Sequence, residues 1–233
     1  MLAVFRREFN AYFSSPIGYA FLVVFYVVTG IPFAILLLSS STDLVIVFSW
    51  TFTVLMFIVP ILTMRLFSEE KRQKTDQALL TAPVNLSSIV IGKFLSAFCV
   101  LAIGVAIILV YAIVFAVFAP MDWAVIFGSL IGTLLMGAAL ISVGMFISSL
   151  TENQIIAAIG ALVCCMVLMM LNIVTSSIGS GFIRDVLNSL AFYDRYYPLT
   201  SGILNAADIL YFVSFIVVFN FLTMRVLEKK RWA

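Results

Sequence analysis

Six continuously apolar stretches dominate the chain, near residues 17–38, 44–64, 90–119, 123–148, 155–175 and 208–225. Each is long enough to cross a bilayer, which takes about 20 apolar residues as a helix. In hydrocarbon every backbone N–H and C=O needs a partner inside the protein, so only helices or a closed barrel can span. The stretches lack the alternation of outward and inward residues that barrel strands carry. The sequence therefore predicts an all-α integral membrane protein with six transmembrane helices. Composition agrees: 64% of the 233 residues are hydrophobic and 10% charged, with a mean hydropathy of +1.21. Soluble domains are about half apolar and a quarter charged. The third stretch exceeds the required length and is expected to tilt or to project beyond the lipid. Residues 17–38 are too long for the core of a signal peptide and lack a small-residue cleavage site, so they read as a retained first span.

Missing residue types exclude much chemistry. Histidine is absent, which removes the commonest metal ligand and general base. Cys99, Cys164 and Cys165 lie inside apolar stretches with no CxxC spacing, and read as small packing residues. No catalytic residue, metal site or nucleic-acid surface is assigned to the chain. Gly92–Lys93 is the nearest approach to a phosphate-binding loop, but Ser87 stands where its first glycine belongs and Phe94 where Ser or Thr belongs. No charge lies deep in a span, which speaks against an ion-coupled carrier with an intramembrane relay. Pro32 and Pro60 read as kinks whose freed backbone groups are satisfied by neighbours.

The charges are sorted by side. With the N-terminus inside, residues 1–16, 65–89, 149–154 and the tail after 224 are cytoplasmic. Together with Lys93, expected to snorkel to the same side, they hold eleven basic residues. The opposite side holds two, Arg184 and Arg195, against Asp43, Asp122, Asp185, Asp194 and Asp208. The excess of Lys and Arg on cytoplasmic loops predicts both termini inside. The implied layout is a single transmembrane domain over 1–233. An interfacial helix (1–16) precedes spans 1 and 2 (17–64), a cytoplasmic segment (65–89) and spans 3 to 5 (90–175). An outer loop (176–207) and then span 6 with a basic tail (208–233) complete it.

Three local features stand out. The opening segment places Leu2, Phe5, Phe9, Tyr12 and Phe13 on one helical face and Arg6, Arg7, Asn10 and Ser14 on the other. That pattern predicts a helix lying in the headgroup layer, with a corner before Pro16. In the fourth span Gly128 and Gly132 form GxxxG, continued by Gly137 and Gly144, and Ala157 and Ala161 repeat the device in the fifth. Such stripes let helices approach closely in lipid, either within the subunit or at a pore or dimer face. In the outer loop Phe182, Phe192, Tyr193, Tyr196 and Tyr197 predict a short re-entrant or interfacial element.

The segment "RLFSEEKRQKTDQALLTAPV" raises the largest question. Seven charges fall between Arg65 and Asp76 in a chain with few elsewhere. It reads as a helix with Leu66, Glu70 and Lys74 on one side, a small patch at Leu79 and Leu80, and a turn at Pro83–Asn85. Ser87 or Ser88 is expected to cap the next helix. Mixed charge beside an apolar patch suits a groove in another protein better than a lipid surface.

This segment, extended to "NLSSIVIGKFL", resembles the coupling region of ABC type-two permeases. The family pattern is approximately R-x-F-x-E-E-K-R-x-G-T-x-E-x-L-L-T-x-P-V, followed by I-V-x-G-K. It is met at Arg65, Phe67, Glu69, Glu70, Lys71, Arg72, Thr75, Leu79, Leu80, Thr81, Pro83, Val84, Gly92 and Lys93. "REFNAYFSSPIGYAF" is similar to the interfacial connecting helix of a branch that includes gliding-motility and nitrous-oxide-reductase accessory permeases, and Phe5, Arg6, Arg7, Phe9, Tyr12, Phe13 and Pro16 fall in it. The C-terminal stretch, with Gly202, Asp208, Tyr211, Phe212, Leu227 and Glu228, is similar to the same branch. Lys74, Asp76 and Gln77 depart from the family's Gly, Leu and Glu.

The resemblance implies the permease subunit of an ATP-driven exporter in a bacterial or archaeal cytoplasmic membrane. ATP and Mg would be held by a separate ATPase subunit in two copies, and a second permease copy or a paralogue would complete the pair. Membrane lipids and an extracytoplasmic component are the other expected partners. The rival expectation is a mechanotransmission or sensory module that drives an outer partner and carries no cargo.

Overall fold

The computed structural model describes residues 1–39, 41, 43–75, 85–177 and 190–232. Among them the chain forms helices and no strand. In order these are α1 (Leu2–Ser14), α2 (Pro16–Leu38), α3 (Val45–Thr63), α4 (Arg65–Arg72), α5 (Leu86–Val105), α6 (Ile107–Ala116), α7 (Trp123–Leu150), α8 (Gln154–Ser177), α9 (Phe192–Thr200) and α10 (Ala206–Trp232). Among the described residues, six helical runs are long and apolar enough to cross a membrane: Pro16–Leu38, Val45–Arg72, Leu86–Ala116, Trp123–Leu150, Gln154–Leu171 and Ala206–Lys230. The third is the longest and is jointed at Ala106 between α5 and α6. Gly104, beside that joint, faces the rings of Phe21 and Phe25.

The corner between α1 and α2 follows from local sterics. Ser15 takes φ −110° and ψ 159°, the extended conformation that a following proline enforces. Pro16 then opens α2, at a position where its missing N–H costs nothing. The helix of the third span starts from Asn85, not from Ser87 or Ser88. Asn85 is extended, and its carbonyl accepts from Ser88 N at 2.9 Å.

Helix α7 is the central post, packed against α3, α4, α5, α8, α9 and α10. Met136, Ala139, Leu140, Ile141 and Met145 on it are fully buried. Its glycines all meet elements of the same chain. A side chain at Gly128 would press on the Gly202 backbone at 3.1 Å, and one at Gly132 on Leu199 at 2.6 Å. At Gly137 it would collide with Leu101, and at Gly144 with Thr63. Burial from water does not drive helices together in lipid, so this close approach is where packing energy comes from. Ala157 and Ala161 of α8 are likewise fully buried.

The end of the bundle opposite α1 is closed by α9. Tyr196 is not a belt residue at a lipid boundary: it is fully buried. Its hydroxyl donates to Phe48 O at 3.0 Å and lies 2.9 Å from Thr133 Oγ1. Ser129 Oγ donates to Thr200 O at 2.9 Å. Gly202 adopts φ +75° directly against Val125, a backbone that excludes a Cβ on both counts. Arg195 pairs with Asp208 at 3.0 Å.

Candidate functional site

The charged residues of α4 lie at the end of the bundle where α1, the start of α5 and the end of α7 meet. The helix begins straight after α3, with Met64 as the joint. Ser148 of α7 secures that joint. Its hydroxyl donates to Met64 O at 2.8 Å and accepts from Phe67 N at 3.1 Å and Ser68 N at 3.2 Å. These are backbone groups a helix start would otherwise leave open.

At its other end α4 stops on a left-handed residue. Lys74 has φ +56°. Thr75 N donates to Glu70 O at 3.0 Å and Lys74 N to Lys71 O at 3.1 Å, the two bonds of a Schellman cap. That conformation favours glycine, which is the residue the family pattern carries where this chain has Lys74.

Between these ends the side chains divide. Phe67 is buried, with the Lys93 ammonium 5.1 Å from its ring centroid. Lys71 is buried and donates to Ser149 O of α7. Arg65 pairs with Glu69 at 3.0 Å, donates to Ser15 Oγ, and lies over the Tyr12 ring at 5.7 Å. Arg72 and Thr75 are exposed. Leu79, Leu80, Thr81 and Pro83 lie outside the described residues.

Glu70 is the hub. Its Oε1 accepts from Arg7 Nη2 of α1 at 2.6 Å and lies 3.1 Å from Lys93 Nζ of α5. Glu8 of α1 repeats the pattern, 2.6 Å from Arg7 Nη2 and 3.2 Å from Lys93 Nζ. Lys93 also donates to Leu66 O at 2.7 Å. Two carboxylates and two cations thus form a neutral cluster joining α1, α4 and α5. Lys93, expected to snorkel toward the side of the 65–89 segment, has its ammonium at the α1–α4 junction, where those helices roof it over and leave it fully buried. An ammonium there is tolerable because two carboxylates and a carbonyl replace its water. Burial works to raise the Glu8 carboxyl, but the Lys93 ammonium and the Arg7 guanidinium outweigh it and hold it below the ordinary carboxylate range.

The connecting-helix residues are placed with equal clarity. Tyr12 leaves the aromatic face expected for it and enters the bundle, donating to Leu62 O at 3.0 Å. Burial raises its phenol well above the ordinary value. Phe5, Phe9 and Phe13 form a ring ladder along α1, and Arg6 is exposed. The structure therefore brings the opening helix and the 65–75 segment into one junction through Arg7–Glu70 and Arg65–Tyr12. Sequence reading missed Glu8 and Ser148. Glu8 carried a usable signal, as the only acidic residue before Asp43.

No group of three His, Cys, Asp or Glu able to hold a metal occurs among the described residues. The architecture is that of a multi-pass helical membrane protein in which the charged junction of α1, α4 and α5 is a set of helix-to-helix ties. The chain matches the family described as ABC-2 family transporter protein over residues 48–232. It belongs to that family and is a membrane permease of an ABC transporter, a multi-pass protein of the cytoplasmic membrane. Members are generally non-catalytic membrane subunits that typically partner with an ABC ATPase. No curated protein matches the chain significantly.

Proposed function

We propose that this permease couples ATP hydrolysis by a separate ATPase to export across the membrane, with both termini and the α1–α4–α5 junction in the cytoplasm. The segregation of eleven basic residues from two supports that orientation. The observation that carries the coupling role is Glu70. One carboxylate holds both Arg7 of α1 and Lys93 of α5, so α4 cannot be displaced without pulling on two other helices.

On this reading the segment has two jobs for two sets of residues. Glu69, Arg72, Lys74 and Thr75, together with Leu79, Leu80, Thr81 and Pro83, seat in a cleft of the ATPase. Arg65, Phe67, Glu70 and Lys71 face the permease and pass the movement on. ATP and Mg stay with the ATPase, present in two copies, and a second permease copy or paralogue forms the other wall of the path. The two chain ends are similar to the gliding-motility and nitrous-oxide-reductase accessory branch of the family.

The test is purification of the tagged chain from its native cells in mild detergent, beside a variant carrying Arg72→Glu and Leu80→Asp. A Walker-motif ATPase should accompany the natural chain and be lost from the variant. If the natural chain brings down no ATPase, or the variant retains it in full, the docking role is wrong.

A further inference from the structure

Helix α1 has three faces. The first enters the bundle: Val4 packs on Gly92, Glu8 pairs with Lys93 and Tyr12 bonds to Leu62 O. The second is the ladder of Phe5, Phe9 and Phe13, with ring centroids 5.8 and 5.1 Å apart. The ladder does not stop at the corner. Phe13 contacts Tyr19 of α2 at 5.5 Å. Tyr19, Val23, Val27 and Ile31 then continue along the exposed side of a membrane-spanning helix. The aromatic face of α1 is thus continuous with a surface that lipid covers.

The third face is polar, and Arg6 stands on its border with the ladder. Helical spacing sets Arg6 beside Leu2, which is 79% exposed, and Phe13. Arg6 is exposed, and among the described residues its side chain forms no ion pair. Its neighbour Arg7 is committed to Glu8 and Glu70. The only acid on α1, Glu8, is turned inward and neutralised. Among the described residues, the outer edge of α1 therefore presents Arg6 as a cation with no ion-pair partner, directly beside apolar rings.

An amphiphile with an anionic head matches that edge. A phosphate ester pairs with the Arg6 guanidinium, while the first acyl carbons lie against the rings, as amphipathic interfacial helices do. A zwitterionic choline head brings its own cation to the same place and loses most of the gain. We infer that the outer edge of α1 is a binding site for an anionic phospholipid, with Arg6 on its phosphate and Phe5, Phe9 and Phe13 on its chains. The lipid head then lies one residue from Arg7, at the margin of the charged junction. This inference does not rest on the ATPase reading and holds for the chain alone.

The test uses the full-length chain in phosphatidylcholine nanodiscs containing a small, equal fraction of photoactivatable phosphatidylglycerol or photoactivatable phosphatidylcholine. Crosslinks are mapped by peptide mass spectrometry. The anionic probe should label residues 1–19 about fivefold more than the zwitterionic one, the preference one membrane-surface cation confers. Arg6→Gln should bring the ratio near one and Arg6→Lys should retain most of it. Lys229→Gln, at the far end of the chain, should leave it unchanged. Equal labelling by both probes, or a preference that survives Arg6→Gln, overturns the site. Inorganic phosphate that abolishes the preference where chloride of equal ionic strength does not would mark a simple anion site and overturn the lipid assignment.

Discussion

The two ends of the bundle are built from different forces. At one, charged side chains from α1, α4 and α5 meet around the fully buried Lys93. At the other, α9 is held by hydroxyls, stacked rings and glycine contacts: Tyr196 on Phe48 and Thr133, Ser129 on Thr200, Phe52 against Tyr193 and Tyr196, Gly128 against Gly202. Neutral contacts in lipid are individually small, about 0.6 kcal/mol for an average interhelical hydrogen bond, and fail gradually. A buried ion cluster fails abruptly, because removing one member leaves others charged and unpaired. The ionic end is therefore suited to switch between discrete arrangements, and the neutral end to hold helices in place while it does.

The sharpest way to break this contrast is Lys93→Met. It strands Glu8 and Glu70 against each other, with Arg7 alone between them, and should cost about 3–5 kcal/mol. Thermal unfolding in detergent should show a midpoint about 10 °C lower. A loss no larger than that of the neutral-end variant Tyr196→Phe below would erase the distinction. Gly144→Ala comes next, since its new methyl meets Thr63 with nowhere to go, and overpacking costs about 1–3 kcal/mol by the same assay. Tyr196→Phe removes one donor at the neutral end while Thr133 keeps Ser129 O as a partner, so about 1 kcal/mol is expected.

Acidification separates the ends without mutation. The Glu8 carboxyl sits lower in the folded chain than its ordinary 4.5. Its contribution is complete above that value and is lost as pH falls through the lower, folded one. Hydrogen exchange of α1 amides should rise below about pH 4.5, while α9 amides stay protected. Equal deprotection of both would contradict the assignment. The smallest effect has the opposite sign: Lys74→Gly relieves a left-handed lysine and should stabilise the chain by about 0.4–1 kcal/mol.

The span positions were legible because uninterrupted apolar length is itself the physical requirement for crossing lipid. Val45–Arg72 runs past the predicted end at 64, and Leu86–Ala116 begins ahead of the predicted 90, because a helix does not end where hydropathy does; α4 simply continues α3 with polar residues. The corner at Pro16 was legible from local sterics. The inward turn of Tyr12, Glu70 and Lys93 was not, since it depends on which helix lies above which, and helical spacing defines faces without naming what each face meets. The small-residue stripe of α7 likewise announced close packing without saying against what. The answer, with Thr63, Leu101, Leu199 and Gly202 as the partners, needed the three-dimensional arrangement.

The central claim is that Glu70 and Lys93 make α1, α4 and α5 move together. It is tested most directly by hydrogen exchange on the purified permease–ATPase complex, with and without ATP and vanadate. In the natural chain, trapping the nucleotide should change protection in both the 65–75 segment and α1. In Glu70→Ala, which removes the ties to both Arg7 and Lys93, with the ATPase still bound, the 65–75 segment should respond and the α1 response should be largely lost. An α1 response that persists unchanged in Glu70→Ala would contradict the account.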